Sequence, residues 1–169
     1  MIEKSFLKKY PLFGGLTDTD LEIIVPLLNS ERYSRGDIIL KEKELNNKVY
    51  FIVKGAVEIL KQGKSRGETA SFERIALLHE GDTFGEMEFI DIQSCAATVR
   101  AIKTTEVVTL SNMDLYKIET KNLKTFTLLI MNLARELSRR LRKMDALAAS
   151  SLCLLKERAE NRSAGNPLE

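Results

Sequence analysis

Between Glu31 and Asn112 the chain offers no segment long enough to be a crossover helix, and this limits the possible folds more than any other feature. Its apolar runs there are short and rich in β-formers: "DIIL", "KVYFIVKGAVEIL", "ERIALL", "ATVRAI" and "EVVTL". Turn formers separate them, at Gly36, "ELNN", Gly55, "KQGKSRG", "EGD" and "KTTE". Strands of roughly four to six residues, recurring about every 8 to 12, imply an antiparallel sandwich, barrel or roll. A doubly wound α/β fold is disfavoured, because parallel strands need helices between them.

Helical patterns flank this zone. In "LFGGLTDTDLEIIVPLL", Thr17 is a candidate N-cap and Asp20 stands three residues on, a loose capping box. Leu21, Ile24, Val25 and Leu28 then recur at helical spacing. After "NMDLYKI" and a hinge-like "ETKN", Leu123 to Ala159 contains neither proline nor glycine. Ile130, Leu133, Leu137, Met144, Leu147 and Leu154 recur three or four residues apart or at multiples of that spacing, with Arg140 and Ser151 as polar interruptions. A helix much longer than about 25 residues exceeds what one small domain covers. Its far half is therefore expected to pack on another helix, most simply that of a second copy. Residues 161–169, "NRSAGNPLE", read as a disordered tail, with Leu168-Glu169 resembling a cloning scar.

Composition excludes several classes. A chain of 169 residues suits a single domain with its own core, and 44% hydrophobic with 30% charged residues is a globular balance. A net charge of +2 is too small to argue for nucleic acid. No apolar run approaches the roughly 20 residues of a membrane span, and the N-terminus lacks a secretory pattern. Cys95 and Cys153 suggest no disulfide framework, and a cytoplasmic location is expected. The one histidine, His79, rules out a multi-histidine metal site and leaves no base for a nucleophile, so no metal site and no enzymatic activity are expected. The basic run "ARELSRRLRKMD" has the charge to meet nucleic acid or anionic lipid, or to be the solvated face of a dimer helix. About ten residues follow Ala159, too few for a DNA-binding domain.

The stretch with most chemistry is Gly81 to Ala101, "GDTFGEMEFIDIQSCAATVRA". A glycine turn, a carboxylate, a short helical segment and small residues before a strand suit an anion site. Yet no lysine or arginine occurs from Gly81 through Val99. Together with "YPLFGGLTDTDLEII" and "RYSRGDIILKEKELNNKVYFIVKGAVEIL", this stretch resembles the cyclic-nucleotide-binding domain family, the sensor-domain type of catabolite activator proteins. The resemblance spans nearly the whole chain. It implies an α+β, mainly β fold: an eight-stranded, jelly-roll-like double-stranded β-roll, N-terminal helices, a cassette helix and a long C-terminal helix. Zones of 1–30, 31–112 and 113–160 follow within one domain, 1–160.

The resemblance also implies a ligand site for cAMP or cGMP. In the family, cassette N–H groups and a buried arginine hold the phosphate, the glutamate of "FGE" accepts from the ribose, and the C-terminal helix approaches the base. The candidate pocket here is Phe84, Gly85, Glu86, Met87, Ser94, Cys95, Ala96, Ala97 and Met144. Glu86 is either the ribose acceptor or a turn cap, and Cys95 either a thiol sensor or a small core residue. Where the family carries Arg-Ser-Ala or Arg-Thr-Ala, this chain has Cys95-Ala96-Ala97, or Ser94 in the arginine's place if the register slips by one. Arg100 alternates to the opposite face, and Lys61, Lys64 and Arg66 are the nearby cations of the neighbouring hairpin. Losing a charge-assisted pair weakens affinity by at least about 100-fold. The expectation is a non-enzymatic regulatory or sensor module with weak or no cyclic-nucleotide binding. It would form a homodimer through Ile130, Leu133, Leu137, Met144 and Leu147 and act on an unknown effector protein. The alternative is a ligand-independent dimeric interaction module on the same scaffold.

Overall fold

A computed structural model describes residues 4–63 and 71–164, with side chains to residue 157. Lys64, Arg66 and the end of the expected tail, 165–169, lie outside the described residues. Eight antiparallel strands form two four-stranded sheets. They are β1 (Asn29–Tyr33), β2 (Ile38–Leu40), β3 (Lys48–Lys54), β4 (Ala56–Gln62), β5 (Phe72–His79), β6 (Thr83–Phe84), β7 (Thr98–Ala101) and β8 (Thr105–Ser111). One sheet has the order β1-β8-β3-β6 and the other β2-β7-β4-β5. The helices are α1 (Lys4–Leu7), α2 (Asp18–Ile24), α3 (Glu86–Asp91), α4 (Asn112–Lys121) and α5 (Leu123–Ala164). This is the β-roll with N-terminal helices and a long C-terminal helix.

The all-apolar run of β3 follows from burial on both of its faces. Val49 and Phe51 pack outward on the helical layer with Tyr10, Phe13, Leu21 and Ile24. The alternate residues, Tyr50 and Ile52, fill the interior of the roll with Val57, Phe84 and Val107. Strand β8 divides the same way: Val108 and Leu110 join the helices, Val107 the interior. The period of two is thus hidden because both faces are dry. Gly55 joins β3 to β4 at φ 111°, where a Cβ would stand 2.6 Å from the Thr105 Cα, so no side chain fits there.

Helix α5 clasps the N-terminal helices. The Asn132 amide donates to the carbonyls of Leu12 (2.9 Å) and Gly14 (2.8 Å). Asp20 completes the expected capping box, taking the Thr17 N–H at 2.8 Å while Thr17 Oγ1 accepts the Asp20 N–H at 3.2 Å. Its other oxygen, Oδ1, accepts the Thr125 hydroxyl from α5, so one carboxylate ties two helices together. Asn122 alone separates α4 from α5; its side chain accepts the Thr125 N–H (3.1 Å) and starts the second helix.

Two expectations need correction. Leu133, read as part of a dimer seam, is 3% exposed and belongs to the chain's own core with Leu129. The near half of α5 spends its apolar face on the domain it closes. Helix α5 also runs past residue 160 to Ala164, the last described residue, because nothing in 161–164 breaks a helix. Among the described residues, no helix is long and apolar enough to cross a membrane.

Asp20 is held below the usual carboxylate range by the Thr125 and Thr17 hydroxyls. A depressed folded-state pKa stabilises above the unfolded value, roughly pH 4, and that stability is lost as pH falls through the folded value. Replacing Asp20 with Ala is expected to cost about 2 kcal/mol at pH 7 from the lost cap and interhelix bond. In urea titrations, native and Asp20→Ala midpoints should converge as pH drops from 5 towards 2.5, at about the ordinary carboxylate range.

Candidate functional site

Strand β6 ends at Phe84, whose ring stacks on Tyr50 with centroids 4.7 Å apart. Gly85 then turns the chain at φ 75°, where a Cβ would meet the Lys48 carbonyl at 2.8 Å and the Tyr50 ring at 3.0 Å. Glycine is required because the backbone lies against β3. The Asn46 side chain braces that approach, donating to the Lys48 carbonyl at 2.6 Å. Helix α3 starts immediately and carries Glu86 and Glu88 inward; both are buried, at 4% and 7% exposure.

These residues border a cavity of about 520 Å³ between the roll and α5. Leu40, Ile59 and Val99 form its apolar floor, and Ile75 and Leu77 of the edge strand β5 one wall. Ala96 and Ala97 close the cassette side. From α5 come Arg139, Arg140, Lys143, Met144 and Leu147. Of the nine pocket residues expected from sequence, Phe84, Gly85, Glu86, Met87, Ala96, Ala97 and Met144 border this cavity. Met144 is exposed at its rim.

Ser94 and Cys95 do not border it. Ser94 is exposed and bridges Leu45 at the surface. Cys95 is 3% exposed and packs with Leu40, Tyr50 and Val99 in the core of the roll. Burial, then the nearby Glu88 carboxylate, pushes its thiol up to about 11, so it stays protonated near neutral pH. Arg100 leaves the site altogether: it faces Glu58 across the sheet, Nε to Oε1 at 2.8 Å. Lys61 comes closer. Its ammonium donates to the Ala96 carbonyl and pairs with Glu42 at 2.8 Å, so it braces the cassette from outside.

The residue that organises the site is Arg140, which the sequence reading treated as an interruption of an apolar seam. Its guanidinium pairs with Glu86 Oε1, donates to the Thr83 carbonyl, and reaches Thr83 Oγ1 at 3.2 Å. Glu136, one turn back, lies 3.7 Å from its Nε. Three residues beyond Leu137 and four before Met144, this arginine sits on the stripe that should be apolar. A rule broken at one position of an otherwise regular stripe marks a specific contact. Burial raises the Glu86 carboxyl above the usual range, and Arg140 opposes that rise. No group of His, Cys, Asp and Glu able to hold a metal occurs among the described residues.

A family model for the cyclic nucleotide-binding domain matches residues 30–122, from β1 through α4. The chain belongs to the cyclic nucleotide-binding domain family. It is 30% identical over 139 residues to the cyclic AMP receptor protein of Thermus thermophilus, covering 82% of this chain and 61% of that one. It is 31% identical over 110 residues to a cAMP-dependent protein kinase regulatory subunit of Debaryomyces hansenii, covering 65% and 23%. Among solved structures, the Thermus thermophilus catabolite activator protein superposes with a TM-score of 0.71 at 27% identity, over 86% of this chain and 63% of that one. The chain thus spans less than two thirds of these relatives. The "FGE" turn, the short helix α3 and strand β7 follow one another in the order the sequence resemblance implied.

Replacing Arg140 with Met would leave Glu86 buried beside Glu88 without its counter-charge. We expect a loss of about 2–3 kcal/mol at pH 8, taking the low end for a partly exposed pair. A raised carboxyl pKa penalises the folded state only where the group is ionised. The gap between native and Arg140→Met urea midpoints should therefore narrow as pH falls from 8 towards the ordinary glutamate range.

Proposed function

We propose that this chain is a non-enzymatic regulatory module in which the cavity ligand controls the position of α5. The observation that carries this reading is the Arg140 bridge. One guanidinium joins the cassette, at Glu86 and Thr83, to the long helix. A ligand hydroxyl that competes for Glu86 loosens that bridge, whereas a ligand filling the space between β5 and α5 tightens it. Either way, occupancy and helix position share a free energy, which is what regulation requires.

Cyclic nucleotides fit this cavity poorly. No cation reaches it from the cassette: of the two residues that could stand in the arginine's place, Cys95 is spent on the core and Ser94 is exposed at the surface. Among the described residues, the cations that border it come from α5, and Arg140 is already paired. We expect cAMP and cGMP to bind weakly or not at all. A site of about 1 μM Kd would stabilise the fold by about 2.7 kcal/mol at 100 μM ligand. Thermal melts with either nucleotide at that concentration should show no such rise; a shift of several degrees would refute the reading.

The distal half of α5 supports a second role, with a second copy of the chain as partner. Leu141, Leu147, Leu152, Leu154 and Leu155 are all exposed, the last three beyond the part of α5 that borders the cavity. A single helix does not keep so much leucine in water. On this reading the module is a homodimer in a soluble compartment such as the cytoplasm, and its effector reads the helix pair. Light scattering should give twice the chain mass at micromolar concentration, and Leu154→Glu with Leu155→Glu should give the monomer.

A further inference from the structure

Glu88 is buried beside the cassette backbone, at 7% exposure against 4% for Glu86. Its Oε1 accepts the Ala96 N–H at 2.9 Å, eight residues along the chain. Its Oε2 accepts no hydrogen bond among the described residues, and Glu88 and Ala96 both border the cavity. We infer that the Glu88 carboxylate sits where the cassette would otherwise take an anion, so that the cavity selects an uncharged, hydroxyl-bearing ligand of the nucleoside type over its phosphorylated counterpart. This deepens the regulatory reading and rests on the cavity being the ligand site.

The argument is one of donors and acceptors. An entering phosphate needs N–H groups and a cation; here the Ala96 N–H is taken, and the taker carries a negative charge. Among the described residues, the charged groups bordering the cavity are four carboxylates, Asp82, Glu86, Glu88 and Glu136, against three cations, Arg139, Arg140 and Lys143. Arg139 is held by Glu136 at 2.6 Å and Arg140 by Glu86, leaving Lys143, which is solvent-exposed on the helix opposite the cassette. A second anion pressed against a buried carboxylate is rejected, by a factor on the order of 100 or more.

Hydroxyl donors meet the opposite reception. A carboxylate accepts them in charge-assisted bonds, and Glu86 and Glu88 stand two residues apart on one short helix, both turned inward. The remaining lining is apolar: Ile75 and Leu77 on β5 face Met144 and Leu147 on α5. That slot accepts a flat, weakly polar ring. A sugar with vicinal hydroxyls joined to a base satisfies both halves, and the cyclic phosphate is the part this cassette has no use for.

The test is calorimetric titration of the full chain at pH 7.5 with adenosine and guanosine, each beside its 3′,5′-cyclic monophosphate. It is then repeated on Glu88→Gln. The expected result is that at least one nucleoside binds about 100-fold tighter than its cyclic phosphate. Glutamine keeps an acceptor for the Ala96 N–H but removes the charge, so the variant should fold and shrink that ratio by about tenfold or more. If Glu88→Gln melts too low to titrate, competition between adenosine and cAMP on the native protein decides alone. Equal affinity for nucleoside and cyclic phosphate, or a ratio unmoved by Glu88→Gln, overturns the inference. So does silence with both nucleosides; if the cyclic nucleotides are silent too, the regulatory reading survives with another ligand class. Micromolar binding of cAMP or cGMP by the native protein sinks that reading as well.

Discussion

A buried glutamate must be answered by something, and in this protein the answer comes from 54 residues away. Glu86 enters the interior because Gly85 turns the chain tightly against β3, and the start of α3 then leaves its side chain no other direction. Its charge is affordable there only because Arg140 crosses from α5. That single requirement positions the long helix over the roll, defines the mouth of the cavity and makes the cassette and α5 one mechanical unit. Remove either partner and the other is an uncompensated charge in a dry place.

The rest of the architecture supports this contact from two sides. On one, the Asp20–Thr125 and Asn132 bonds pin the near half of α5 to the N-terminal helices, so Arg140 leaves a fixed platform. On the other, Asn46 and the Tyr50–Phe84 stack hold the turn at Gly85. Between these supports the cavity is polar on the cassette side and apolar towards β5 and Met144. The asymmetry suits a ligand with one hydrogen-bonding end and one flat end. The edge strand β5 is the least covered element of the roll, with Phe72 and Ile75 more than half exposed. It is the wall with most freedom to adjust to an occupant.

How much of this the sequence disclosed varies by element. The runs that became β2, β3, β4, β5, β7 and β8 stood out because each puts at least one face in the core or on an edge with β-formers. Strands β1 and β6 did not: "NSERY" is polar and half exposed, and "TF" is two residues long, so both exist through their partners in the sheet rather than through pattern. The capping box at Thr17 was legible because it is local, closing over three residues. The role of Leu133 was not, since a leucine on a long amphipathic helix reads the same whether it meets its own domain or a second copy. Arg140 was misjudged for a related reason. A charge on a helix surface and a charge in a pocket look alike until the opposing wall is known.

By itself, then, the chain's order of residues determined the class of fold, the place of the cassette turn and the lack of lysine and arginine from Gly81 through Val99. These follow from periodicity, from glycine where no Cβ fits, and from the presence or absence of a residue type, all of which are written along the chain. Tertiary structure alone decided that Cys95 belongs to the core, that Arg140 closes the site and that Glu88 occupies the backbone donor at Ala96. Those outcomes depend on which surfaces meet, over 54 residues of chain for Arg140 and Glu86 and eight for Glu88 and Ala96, and on the cost of leaving a buried charge or N–H without a partner. Local pattern carries no record of that cost; only the packed molecule does.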